Sequence, residues 1–146
     1  LALRHHFGVR ADRCPGRERV YRQTGHSARS SATRVSMATL TVQTIDRAGD
    51  GLTPNFVSAA VGGDAFPNTG REFLVVKTTG TACTVTAATP QTVNGLAVAD
   101  ETYSCPSTGE RYIGPFPSQT FNSTQGQVVL TYSAVTGVTV GVFKVG

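Results

Sequence analysis

From Met37 onward the chain never holds one pattern for long: short runs rich in Thr and Val are cut repeatedly by Gly, Pro, Asn or Asp. Thr and Val are branched at Cβ and stiff at χ1, so they sit better on a pleated surface than in a helix. The runs are also too short for a helix, which needs roughly 10–12 residues of sustained periodicity. This texture restricts residues 37–146 to a single domain built from strands.

The runs can be placed individually. Leu40–Ile45 alternates and meets the loop Arg47-Ala48-Gly49-Asp50-Gly51, while Phe56–Val61 is a weaker strand ended by Gly62-Gly63-Asp64. Glu72–Lys77 is continuously apolar at its centre, as expected of a strand covered on both faces. Cys83–Ala87, Thr102–Cys105 and Arg111–Ile113 follow. Val128, Leu130 and Tyr132 share one face of a strand over 127–133, and Val138, Val140 and Val142 share one face of the last strand. These two final runs, joined by a turn through 134–137, are predicted to form a hairpin. The one helical expectation is a turn or two near Thr92–Asp100. The expected architecture is all-β, an antiparallel β-sandwich or partly closed β-barrel of jelly-roll or Ig-like kind.

Charge divides the chain at Met37. Residues 1–36 carry eight arginines against Asp12 and Glu18, a net of +6, and all three histidines. Residues 37–146 carry five cations against seven carboxylates, a net of −2. The basic pI of about 9.3 therefore belongs to the first segment, and the domain itself gives no reason to expect nucleic acid. Three readings of 1–36 stand side by side: upstream sequence ahead of a true start at Met37, a basic unstructured arm, or a transit peptide. No apolar run approaches the ~18 residues of a membrane span, so no membrane anchoring is expected.

Catalytic chemistry is tested by elimination. Without a histidine, residues 37–146 cannot assemble a Ser-His-Asp or Cys-His set, and no phosphate-cradling or metalloprotease motif is present. Asp46–Gly51 begins like a calcium loop but has Ala48 and Val57 where two oxygen ligands belong. Asp100-Glu101 reads as a solvated pair, and Asn122-Ser123-Thr124 fits a glycosylation sequon. No enzyme activity, cofactor or metal is expected. Cys83 and Cys105 fall on separate predicted strands and read as buried free thiols or as a disulfide.

Two places read as interface. Around Gly114-Pro115-Phe116-Pro117 the prolines stiffen the backbone and remove ladder donors, so Pro115, Phe116, Pro117 and Phe121 form either a plug for the core or an exposed apolar loop. Met37, Thr39 and Leu40 head the domain and read as an arm able to add a strand along a neighbour.

The stretches Arg47-Ala48-Gly49-Asp50-Gly51, Gly70-Arg71-Glu72-Phe73-Leu74, Gly114-Pro115-Phe116-Pro117 and Leu130-Thr131-Tyr132-Ser133 resemble those of small β-rich virion proteins of tailed bacteriophages. The resemblance is to capsid decoration or cement proteins and covers most of 37–146. It implies a homo-oligomer, a trimer by preference, that binds the major capsid protein on the outer shell and assembles in the host cytoplasm. It implies no catalytic or cofactor residue. The alternative is a cell-surface or secreted Ig-like binding or adhesion module.

Overall fold

The computed structural model describes residues 36–47 and 51–146. The readings of the basic segment before Ser36, including Cys14, and the centre of the loop at 48–50 lie outside the described residues.

In chain order the strands are β1 (Ala38–Thr39), β2 (Val42–Ile45), β3 (Val57–Ser58), β4 (Asp64–Pro67), β5 (Glu72–Thr79), β6 (Cys83–Ala87), β7 (Thr92–Val93), β8 (Leu96–Ala97), β9 (Glu101–Cys105) and β10 (Thr108–Ile113). A single helical turn, α1 (Ser118–Phe121), precedes β11 (Gln127–Tyr132) and β12 (Val138–Val145). One sheet runs β1-β4-β11-β6-β9. The second runs β10-β5-β12-β2, with β3 also on β12, and β7 and β8 form a separate two-stranded ribbon. The two large sheets stay separate and pack face to face, so the fold is an all-β sandwich.

The core is the layer between them. Phe66, Val85, Val128 and Leu130 enter from the first sheet, and Leu74, Val76, Val138, Val140 and Val142 from the second, all fully or almost fully buried. The period-two alternation of β6, β11 and β12 delivers one face of each strand to this layer. β5 is covered on both sides, as its continuous apolar run predicts. Its outer face lies under an aromatic strap in which Phe143 meets Phe56 at 5.7 Å and Phe73 at 5.9 Å. Lys77 closes this strap, with Nζ 4.1 Å from the Phe56 ring centre and 2.7 Å from Glu110.

Two sequence expectations are corrected. β11 and β12 do not form a hairpin: β11 pairs with β4 and β6, whereas β12 pairs with β5, β2 and β3. Both strands carry an apolar face, and the crossing turns those faces toward each other across the core. A hairpin would have placed them side by side in one sheet. The second correction concerns Thr92–Asp100, which contains the β7–β8 ribbon and no helix. Its turn places Asn94 at φ 53° and Gly95 at φ 78°, the left-handed pair that a tight hairpin requires.

The first strand is also divided. Ala38 and Thr39 pair in parallel with Asp64 and Ala65, and after Leu40 the chain crosses to run parallel to β12 from Val42. Leu40 is buried at the crossing. Gln43 fixes the new path by donating to the Asn55 carbonyl and accepting from its amide, both at 2.7 Å.

The turn from β11 to β12 depends on Gly137, whose φ of +71° is left-handed and whose added Cβ would press into the Thr79 carbonyl oxygen. Gly80 has a similar φ of +86° but open space around it. Gly80→Ala is therefore expected to cost about 1–2 kcal/mol, the left-handed penalty alone. Gly137→Ala should cost clearly more, because the Thr79 carbonyl has to move. Urea denaturation of the two variants checks this, and equal losses would remove the steric account of the crossing.

Candidate binding surface

The end of the sandwich holding Pro115 is built inward from Phe116. Its fully buried ring makes edge contacts with Phe66 at 5.6 Å, Tyr103 at 6.5 Å and Phe121 at 5.4 Å. Such an arrangement orders the core beyond the effect of area alone. The Phe116 carbonyl accepts a hydrogen bond from Asn68 Nδ2 at 2.9 Å. Asn68 Nδ2 also donates to Asn122 Oδ1 at 2.7 Å, and Asn122 Nδ2 returns a bond to the Asn68 carbonyl at 3.0 Å. The two amides thus clamp the β4–β5 turn to the end of α1. Asn122, the sequon residue, is committed to this clamp.

Glu72 completes the fixture. Its buried carboxylate accepts from the Thr69 amide at 2.6 Å, the Thr69 hydroxyl at 2.8 Å and the Arg71 amide at 3.1 Å. Burial by itself would raise this carboxyl. The bonds from the Thr69 amide and hydroxyl and the Arg71 amide outweigh that and hold it below its ordinary value.

The predicted interface residues divide accordingly. Phe116 and Phe121 are core side chains, so of that segment only Pro115 and Pro117 face outward. Leu40 is likewise an anchor in the core; Met37 and Thr39 are exposed, on a segment that pairs with β4 of its own domain. A buried ring or leucine cannot serve as a contact surface without opening the core: Phe116 is the plug that was one of its two readings, and the interface reading of Phe116, Phe121 and Leu40 is corrected.

Pro115 stands between two shallow grooves. One, of about 610 Å³, is lined by Arg71, Phe73, Tyr112 and Gly114; the other, of about 560 Å³, by Ala99, Tyr103, Pro117 and Thr120. Tyr103 donates to Glu101 at 2.6 Å, and burial together with that carboxylate pushes its phenol well above its usual value. The adjacent acid, Asp100, is occupied by the Thr89 amide at 2.8 Å. Asp100 and Glu101 therefore hold different partners.

Beside the second groove projects the β7–β8 ribbon, with Val93 61% and Leu96 73% exposed. Its base is fixed where the Thr89 hydroxyl donates to the Val98 carbonyl at 2.9 Å and Gln91 donates to the Asn122 carbonyl at 3.0 Å. Two apolar side chains are thus held in water on a tight turn with a braced base. Sequence reading missed this feature, although Val93-Asn94-Gly95-Leu96 carries the Asn-Gly signal of a two-residue hairpin turn.

Elsewhere, Asp64 is fully buried and accepts from the Ala60 amide at 3.3 Å. Its Oδ1 and the Tyr132 hydroxyl are without a well-formed hydrogen bond. Burial first, and then the Asp64 carboxylate, pushes the Tyr132 phenol far up. Cys83 and Cys105 are buried free thiols. Among the described residues no three His, Cys, Asp or Glu side chains converge as metal ligands, and no helix is long and apolar enough to cross a membrane. Compared with known proteins, the chain matches no family model, no curated protein and no solved structure. Fold and surface define a class only: an all-β sandwich that presents a braced apolar ribbon and two shallow grooves.

The lowered Glu72 carboxyl sets a pH dependence. A folded value below the unfolded one means that its stabilisation is complete above the unfolded pKa and is lost as pH falls through the folded one. Glu72→Gln should lose about 1–3 kcal/mol at neutral pH. The gap to the wild type should narrow below about pH 4, where the wild-type carboxyl protonates as well. Thermal melts of both proteins across that range check the sign, and a gap that widened with acid would contradict it.

Proposed function

We propose that this domain is a virion structural protein of a tailed bacteriophage, a capsid decoration protein that binds and braces the outer shell as a homo-oligomer. The structural observation that carries the binding role is the β7–β8 ribbon, which holds Val93 and Leu96 in water on a fixed base. Exposed apolar side chains on a rigid element lose little conformational freedom when a partner covers them, and this favours association. The capsid as partner is supported by the resemblance of the stretches around Gly49, Arg71, Pro115 and Tyr132. The exposed Pro115 belongs to one of those stretches and lies at the ribbon's end of the sandwich. Many copies on a shell would add weak contacts into a strong one.

The test is sedimentation of the purified protein with undecorated capsids, followed by electron microscopy. Co-sedimentation at micromolar protein is expected, with the ribbon in the contact. The double variant Val93→Ser, Leu96→Ser should bind at least tenfold more weakly while its melting temperature stays close to that of the wild type. Failure of the wild type to co-sediment would overturn the capsid reading. Retention on cell-wall or glycan preparations instead would favour the adhesion module.

A further inference from the structure

We propose that Cys83 and Cys105 form a redox-responsive cross-strand pair, closing an intramolecular disulfide that staples edge strand β9 to β6 once the protein leaves a reducing environment. The inference goes beyond the capsid reading and does not depend on it. In the β6–β9 ladder Cys83 stands directly opposite Cys105. Residues so placed in an antiparallel pair have Cα atoms about 4.5–5.5 Å apart, inside the roughly 4.4–6.8 Å window of natural disulfides. Both side chains point to the same side of the sheet, because both are buried in the interlayer core. A directly opposed, same-face pair can be bridged without moving the backbone far.

The location also provides access. Cys83 is the first residue of β6 and Cys105 the last of β9, so both sit at the same end of the ladder. β9 is the edge of its sheet, bonded only to β6, and three of its five residues are exposed. In the closed state Cys83 donates to the Ala134 carbonyl at 3.2 Å, and burial and the neighbouring thiol push Cys105 up, which keeps it protonated and inert. Fraying of the last residues of β9 would expose both sulfurs together.

With a small-molecule disulfide such as oxidised glutathione as oxidant, the chemistry balances. One cysteine thiolate attacks a glutathione sulfur and releases one glutathione thiolate. The second cysteine thiolate attacks the protein sulfur of the mixed disulfide and releases the other. The two protein thiols lose two protons and two electrons, and oxidised glutathione takes them up as two reduced molecules.

The linkage would matter mechanically. β9 leads through Pro106 into β10, the edge of the opposite sheet, where the Thr78 hydroxyl donates to the Pro106 carbonyl at 2.7 Å. A staple at Cys105 would therefore brace the side of the sandwich where the chain passes from one sheet to the other.

The full chain is incubated with oxidised or reduced glutathione, unfolded, alkylated and digested with trypsin. Cleavage after Lys77 and Arg111 leaves both cysteines on the peptide 78–111, separate from Cys14. After oxidation that peptide should be two hydrogens lighter, carry no alkyl group and be joined to no second peptide. Amide exchange at Tyr103–Cys105 should slow at least several-fold, and reductant should reverse it. Two alkyl groups on the peptide, glutathione adducts on it without an internal bond, or copies cross-linked through it would each overturn the assignment. An internal bond that leaves exchange in β9 unchanged would overturn its bracing role.

Discussion

The apolar layer between two sheets that share no hydrogen-bonded ladder is what the rest of this domain depends on. Backbone bonding stabilises each sheet internally, but only side chains such as Phe66, Leu74, Val85, Val128, Leu130 and Val140 hold one sheet to the other. Within the two large sheets no strand pairs with its immediate successor in the chain. Chain connectivity crosses the layer again and again, at Leu40, at the β4–β5 turn, at Pro106 and at Gly137. Burial of the layer is non-directional. The crossings supply the direction, and each is pinned by a specific contact: Gln43 on Asn55, Asn68 on Asn122, Thr78 on Pro106, and the Gly137 carbonyl accepting from the Thr79 amide.

Polar groups inside such a layer are costly unless satisfied. Glu72 meets that cost by ordering the β4–β5 turn around its own oxygens, so one carboxylate fixes both a crossing and Arg71, which lines a groove with Pro115. Asp64 is less fully partnered and shares its surroundings with Tyr132. Among the described residues the outer surface is marked by a braced ribbon and two grooves around a proline segment.

The candidate surface was partly legible before any fold was known. Gly114-Pro115-Phe116-Pro117 stood out through its prolines, and these do reach solvent. Phe116 does not, because a ring between two prolines faces inward or outward according to what it can pack on, here Phe66 and Tyr103, and Phe121 packs on Phe116 in turn. Leu40 was misassigned for the same reason: alternation marks an apolar side chain but not the crossing that buries it. The ribbon at Val93 and Leu96 carried a turn signal in Asn94-Gly95, yet the short Thr92–Asp100 stretch was ambiguous in period.

The sequence by itself determined that residues 37–146 are built of strands, since branched residues, period-two alternation and frequent turn residues are local properties. It also located the strong interior runs of β5, β6, β11 and β12 and confined the excess positive charge to residues 1–36. Only the tertiary structure decided which strands are neighbours. An alternating run is equally satisfied beside its predecessor or across the core from it, and β11 and β12 took the second course. Pairing partners are chosen by side chains distant in sequence, and that choice alone set Cys83 opposite Cys105 and left Val93 and Leu96 in water.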